Sequence, residues 1–242
     1  MSTPGRPWRR SFSPYRTFGE VPIGQVADAL RQQFRFWGLP QRLRVDNGAP
    51  WGNRNDLPTP FALWVVGLGV DWHWNDPYCP QQNPKIERGQ GTAKRWAEPR
   101  QCGSVAELQA RLDRADENHR EYYRVRGGRT RLELFPELTH SGRRFTVAWE
   151  KRGWDFTRVE GHLAEYVAVR VVSGSGHVTI YHRSRYVGMQ FCGQAVQVQY
   201  DPEAHAWLIS DGKGRMIRHT TTPEVTAEAL VNLSHGKERH EP

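Results

Sequence analysis

Two carboxylates stand where they could do chemistry. Asp46 lies in Arg44-Val45-Asp46-Asn47-Gly48, and Glu87 lies in Gln81-Gln82-Asn83-Pro84-Lys85-Ile86-Glu87-Arg88, with 40 residues between them. The first reads as an acid at the carboxyl end of a strand, the second as an acid in the first turn of a helix. With polar, Gly and Pro residues at both junctions, the pair could share a divalent cation, since Mg²⁺ is typically held by one or two carboxylates plus substrate phosphates. A basic helix follows Glu87, carrying Arg88, Lys94 and Arg95. Positions 87, 90 and 94 share a helical face, so Gln90 and Lys94 continue the surface that Glu87 begins. The plainer reading is that Asp46 caps a turn and Glu87 complements a helix dipole, and spacing alone does not separate the two.

The elements that must position these acids can be read in order. Residues 1–20, rich in Pro, Gly and Arg, read as a basic, poorly ordered lead-in. Val26, Leu30, Phe34 and Trp37 recur at helical spacing over 23–37, and Gly38-Leu39-Pro40 stops that helix. A strand over 42–45 then delivers Asp46, and Asn47-Gly48 turns the chain. Thr59 and Pro60 make an N-cap and first-turn pair for a helix through Leu68. A strand covers 70–74. Asn83 and Pro84 open the helix that holds Glu87, and Pro99 closes it. Ser104 to Glu107 reads as a capping box starting a helix to about Tyr123, followed by Arg124, Arg126, Arg129 and Arg131 with no acid among them. Residues 132–165 give no clear assignment and read as the end of a core at 138 and a linker over 139–165.

From Tyr166 the pattern changes to short strands, 166–172, 178–182, 195–200, 206–210 and 215–219, separated by Gly- and Asp-rich turns. Close spacing of that kind predicts a small SH3-like barrel over 166–222, with a charged tail over 223–242. His177 and His182, read within one strand, fall on opposite faces and make no metal pair. Cys79, Cys102 and Cys192 have no C-x-x-C spacing, so neither a disulfide framework nor a zinc site is indicated, and a reducing, intracellular setting is expected. The longest apolar run, 61–70, is about half a membrane span, and no apolar stretch follows the N-terminal arginines as a secretory signal requires. A net charge of +8 favours a polyanionic partner.

Gly38-Leu39-Pro40 through Asp46-Asn47-Gly48, then Pro77-Tyr78-Cys79-Pro80-Gln81-Gln82-Asn83-Pro84-Lys85-Ile86-Glu87-Arg88, resembles the DDE transposase and retroviral-type integrase core. The 166–219 barrel is similar to the one that follows the core in Mu-type transposases. The resemblance covers residues 21–220. It implies an α/β chain with an RNase H-like core over 21–138 and the small all-β barrel behind it. It also implies phosphoryl transfer with Mg²⁺ or Mn²⁺ held by Asp46 and Glu87, the family's second and third acids, in an in-line displacement. DNA, as element ends and target, would be the partner, bound by a homo-oligomer. Lys85, Arg88, Gln90, Lys94, Arg95, Arg124, Arg126 and Arg129 would line it. A cytoplasmic, nucleoid-associated bacterial protein without membrane segments is the setting implied.

The departures are as informative. The family's first acid lies on a strand upstream of the 23–37 helix, but residues 1–20 hold no Asp and only Glu20. Asp28, Asp56 and Asp71 are not in a matching position. The first three strands of the fold are missing too, which predicts an uncovered apolar face. Pro84 replaces the family's usual Gly, and Gly89 and Gly91 each cost up to about 1 kcal/mol of helix propensity relative to Ala. The expectation is an N-terminally truncated or frame-shifted transposase fragment, inactive alone, or a DNA-binding protein derived from one.

Overall fold

The computed structural model describes residues 23–48, 51–52, 56–76, 84–136 and 139–233, with the side chains of 84–86 and 126 outside that set. The fold is mixed α/β with a small antiparallel sheet. The chain divides into two compact units, residues 1–40, 78–150 and 234–242 in one, 41–77 and 151–233 in the other. Among the described residues no helix is long and apolar enough to cross a membrane.

The first unit is helical. Helix α1, Ile23–Trp37, buries Gly24, Ala27, Arg31 and Phe34. Its inner face is thus rotated from the Val26, Leu30, Phe34 and Trp37 stripe that apolar spacing predicts. Arg31 sits at the centre of that face because Glu150 meets it there: Arg31 Nε and Nη2 donate to the Glu150 carboxylate at 2.7–3.1 Å, and Asp28 accepts from Nη1 at 3.3 Å. Gly38, at φ +76°, ends the helix, and a Cβ there would lie 2.2 Å from Ser141 Oγ, so only glycine fits. Residues 141–145 strap this end, with Leu39 N–H donating to Arg143 O at 2.8 Å and Phe145 edge-on to Phe34.

Helix α3, Pro84–Ala97, packs on helix α4, Val105–Glu117, through Ala93, Ala97, Leu108 and Leu112. Ser104 Oγ accepts from Glu107 N–H at 3.1 Å, as a capping box requires. The reciprocal bond differs, for Glu107 accepts from Gly103 N–H at 2.8 Å. That bond, with Arg111, holds the Glu107 carboxyl below the usual carboxylate range. A full capping box forms instead at Thr130 and Glu133, opening the short helix α5, Arg131–Leu134. The α-helical hydrogen bonding of α4 loosens into a π-helical turn, Asn118–Tyr122.

The second unit begins with a βαβ turn. Strand β1, Arg42–Val45, runs parallel to β2, Asp71–Trp74, and Leu43 and Val45 align with Trp72 and Trp74. Between them lies helix α2, Pro60–Gly67, whose N-cap Thr59 Oγ1 accepts from Ala62 N–H at 3.2 Å. Every residue from Phe61 to Gly67 is buried, as an all-apolar helix demands. The uncovered face that missing strands predict is therefore not found on α2. It is closed by β2 and by two helices, α7, Phe156–Ala164, and α8, Ala227–Val231.

Residues expected to be a linker also hold helix α6, Val147–Gly153, and contribute Trp154. Its indole donates to Trp64 O at 2.9 Å, and its ring stands so close to Gly67 that a Cβ there would lie 2.2 Å away. Val159 and Leu163 of α7 join Leu63, Val198, Trp207, Ile209 and Leu230 in one core.

The antiparallel sheet has the order β3-β6-β7-β8, with β3 Val167–Val171, β6 Ala195–Asp201, β7 Ala206–Ser210 and β8 Met216–Thr221. A separate hairpin pairs β4, His177–Ile180, with β5, Arg183–Tyr186. Here the expected 178–182 strand is corrected. Tyr181 and His182 form the hairpin's two-residue loop at φ +46° and +62°, the signature of a type I′ turn. Non-glycine residues tolerate that conformation because Tyr181 is anchored, its hydroxyl donating to Pro58 O and its ring tilted against that of Trp207.

The Arg31–Glu150 pair is 9% and 4% exposed. Removing one partner of a buried pair strands the other charge, at a cost of about 3–5 kcal/mol. Glu150→Ala should therefore lower the urea unfolding midpoint strongly, while Arg31→Met with Glu150→Leu recovers most of the loss. A single variant within 1 kcal/mol of the parent would show that the pair is not needed.

Candidate active site

Asp46 follows β1 and Asn75 follows β2. Because the strands are parallel, their carboxyl ends fall side by side. Asn75 is 6% exposed and is tied in from three directions. Its N–H donates to Val45 O at 2.8 Å, its carbonyl accepts from Asn47 Nδ2 at 2.8 Å, and its Nδ2 donates to Asp46 Oδ1. The loop beyond is folded back by paired bonds between Gly48 and Gly52, at 2.7 and 2.9 Å and positive φ, and Trp74 Nε1 donates to Trp51 O. An exposed carboxylate is thus held on a rigid corner. Asn75 carries no motif of its own, and only the parallel pairing reveals it. Asp56, later in the same unit, is engaged by Arg170.

Whether a hard cation fits depends on the oxygens offered. Asp46 presents a carboxylate, and Asn75 Oδ1 is buried with no hydrogen-bond partner among the described residues. Among the described residues no group of three His, Cys, Asp or Glu side chains comes together. The oxygens of Asp46 and Asn75 would fit one contact to a hard cation.

Glu87 belongs to the other unit, in the first turn of α3, and is exposed. Arg88, Gln90, Lys94 and Arg95 are exposed with it, because Ala93 and Ala97 take the side against α4. A cleft of about 470 Å³ at the end of α3 is lined by Lys94, Arg95, Arg100 and Glu98 among others. Glu98 is held at φ +46° just before Pro99. The residues 77–83 that carry most of the second motif, and the side chains of Lys85 and Arg126, lie outside the described residues.

Arg124 and Arg129 are exposed on a small loop closed by Val125 N–H to Arg129 O at 2.8 Å. Arg131 turns inward instead, donating to His119 O at 2.8 Å. Burial, reinforced by the Arg131 guanidinium, pushes the His119 imidazole below its usual range. No protein-family model matches the chain.

His119 gives a signed pH dependence. Its folded value lies below the usual histidine range, so as pH falls through that range the unfolded chain takes up a proton that the folded chain refuses. Its contribution to stability is complete above the unfolded value and declines as pH drops. The urea midpoint should fall between about pH 7.5 and pH 5.5, less so in His119→Gln. A His119 resonance titrating at or above the free-histidine value would contradict this.

Proposed function

We propose that this chain is a DNA-binding polypeptide of the DDE transposase and integrase type. In this reading β1, α2, β2 and α3 belong to a partial RNase H-like core, and β3 to β8 correspond to the small SH3-like barrel. The observation that carries it is the position of Asp46, presented at the carboxyl edge of two parallel strands, where open α/β sheets hold their ligands. Support comes from α3, whose outward face joins Glu87 to Arg88, Gln90, Lys94 and Arg95.

Duplex DNA, as element ends and target, is the proposed partner, its phosphates met by these residues with Arg124 and Arg129. A Mg²⁺ or Mn²⁺ ion held through Asp46 and Glu87 belongs to the same reading. The family's first acid has no counterpart in residues 1–20, so the activity proposed for this chain is binding without strand transfer. A non-catalytic DNA-binding protein derived from such an enzyme would behave alike, except that neither acid would matter even when an intact relative is supplied.

Fluorescence anisotropy with a duplex over a range of salt tests the reading. Lys94→Ala and Arg95→Ala should each weaken binding and lower the salt slope by about one, with Asp46→Asn leaving affinity unchanged. Nicking assays with Mg²⁺ or Mn²⁺ should give no product. Salt-independent binding or none would remove the proposal, and nicking abolished by Asp46→Asn would overturn its non-catalytic part.

A further inference from the structure

The π-helical turn that ends α4 delivers two consecutive tyrosines to the surface, Tyr122 at 66% and Tyr123 at 49% exposure. Among the described residues Tyr122 is the most exposed large aromatic ring, ahead of Phe36 at 53% and Tyr186 at 46%, while Trp64 and Trp207 are at 0%. The two are set differently. Tyr123 is fixed, stacked on His119 with ring centroids 6.1 Å apart. Trp96 lies edge-on to both rings at 5.6 and 5.4 Å, and the Arg131 guanidinium stands 5.8 Å from the Tyr123 ring centre. Tyr122 has no ring partner among the described residues, and its phenol is offered to solvent.

The charge around them is positive. Arg124 and Arg129 are exposed just after the pair in the chain, Arg124 donating to Gly128 O, and Gly127 and Gly128, at φ +71° and +70°, turn the loop that holds them. Of the acids in this stretch, Glu121 is engaged by Arg120 and Glu133 by the Thr130 cap, and Glu117 is exposed one turn before Tyr122. A surface that combines an open aromatic ring with exposed guanidinium groups matches a ligand having flat π-faces and negative charge. A nucleotide has both. In a duplex the base faces are hidden in the stack, so only unpaired nucleotides can lay a base on a side-chain ring.

We propose that Tyr122, which precedes the fixed Tyr123 in the chain and is followed by the exposed Arg124 and Arg129, is a stacking site for unpaired nucleotides of single-stranded DNA. The inference rests on the DNA-binding reading above and adds a strand state to it. Tyr122 supplies stacking, which is indifferent to base identity because every base has a π-face, and the arginines meet the phosphates on either side.

The test compares an oligothymidylate of about 20 nucleotides, long enough to span such a site, with a duplex of the same length, by anisotropy on the full chain. Tyr122→Ala should weaken single-strand binding roughly 5- to 150-fold, the loss of one stacked base, and change duplex binding by less than about twofold. Tyr122→Trp should restore it, and Tyr122→Leu, of similar bulk but without a ring, should not. Circular dichroism melts of each variant should match the parent, since the ring is exposed. Duplex binding with single-strand binding insensitive to Tyr122→Ala and Tyr122→Leu overturns this inference and leaves the DNA-binding reading standing. Failure to bind either ligand overturns both.

Discussion

Helix α2 has no face to give to water. From Phe61 to Gly67 it carries no polar side chain, so something must close every side of it, and most of the second unit can be understood as that closure. Strand β2 covers one flank, α7 and α8 cover others, and the Trp154 indole reaches across to take the Trp64 carbonyl. The antiparallel sheet then shares its core with the same helix through Leu63, Leu163 and Trp207. A wholly apolar helix beside a two-stranded parallel ladder would be unstable alone, since short parallel sheets need both faces covered.

Two largely buried carboxylates of this unit are satisfied in small sets. Glu160 of α7 accepts from the Tyr200 hydroxyl at 2.7 Å and is met by His205. Burial, with Glu160 beside it, keeps the Tyr200 phenol well above its usual range. Glu224 takes the Trp207 indole at 2.8 Å and Arg185 at 2.7 Å, fastening the segment that leads to α8 onto the sheet. Each carboxylate replaces the water its partners lost on burial, which is the condition for placing charge near an apolar core.

Much of the local structure was legible beforehand, and for identifiable reasons. Helix α1 and strand β1 are bounded by Gly38-Leu39-Pro40 and Asn47-Gly48, whose backbone preferences act locally, and their observed limits match the expected ones. Thr59-Pro60 did the same for α2. What escaped depends on partners distant in sequence. Arg31 lies on the inner face of α1 only because Glu150, 119 residues away, receives it, and no apolar periodicity can announce that. The Tyr181-His182 loop lacks the glycine that marks such hairpins, its conformation being held by Pro58. Asn75 becomes visible as Asp46's companion only when β1 and β2 are paired. The exposure of Gln90 and Lys94 was readable from helical spacing, while the tyrosine pair depends on a π-turn that α-helical spacing does not anticipate.

The second unit is built from two lengths of chain, 41–77 and 151–233, separated in sequence by residues 78–150 of the helical unit. During synthesis this order imposes a wait. Helix α2 leaves the ribosome about 90 residues ahead of Trp154, and at about 5–20 residues per second its apolar side chains stand without their cover for on the order of ten seconds. The first unit has a similar interval, since Arg31 emerges long before Glu150. A nascent chain of this design presents a sticky, tryptophan-bearing segment early and sequesters it late. Production of the protein is therefore governed by the handling of that interval, by translation speed, temperature and chaperone supply, as much as by the stability of the finished fold.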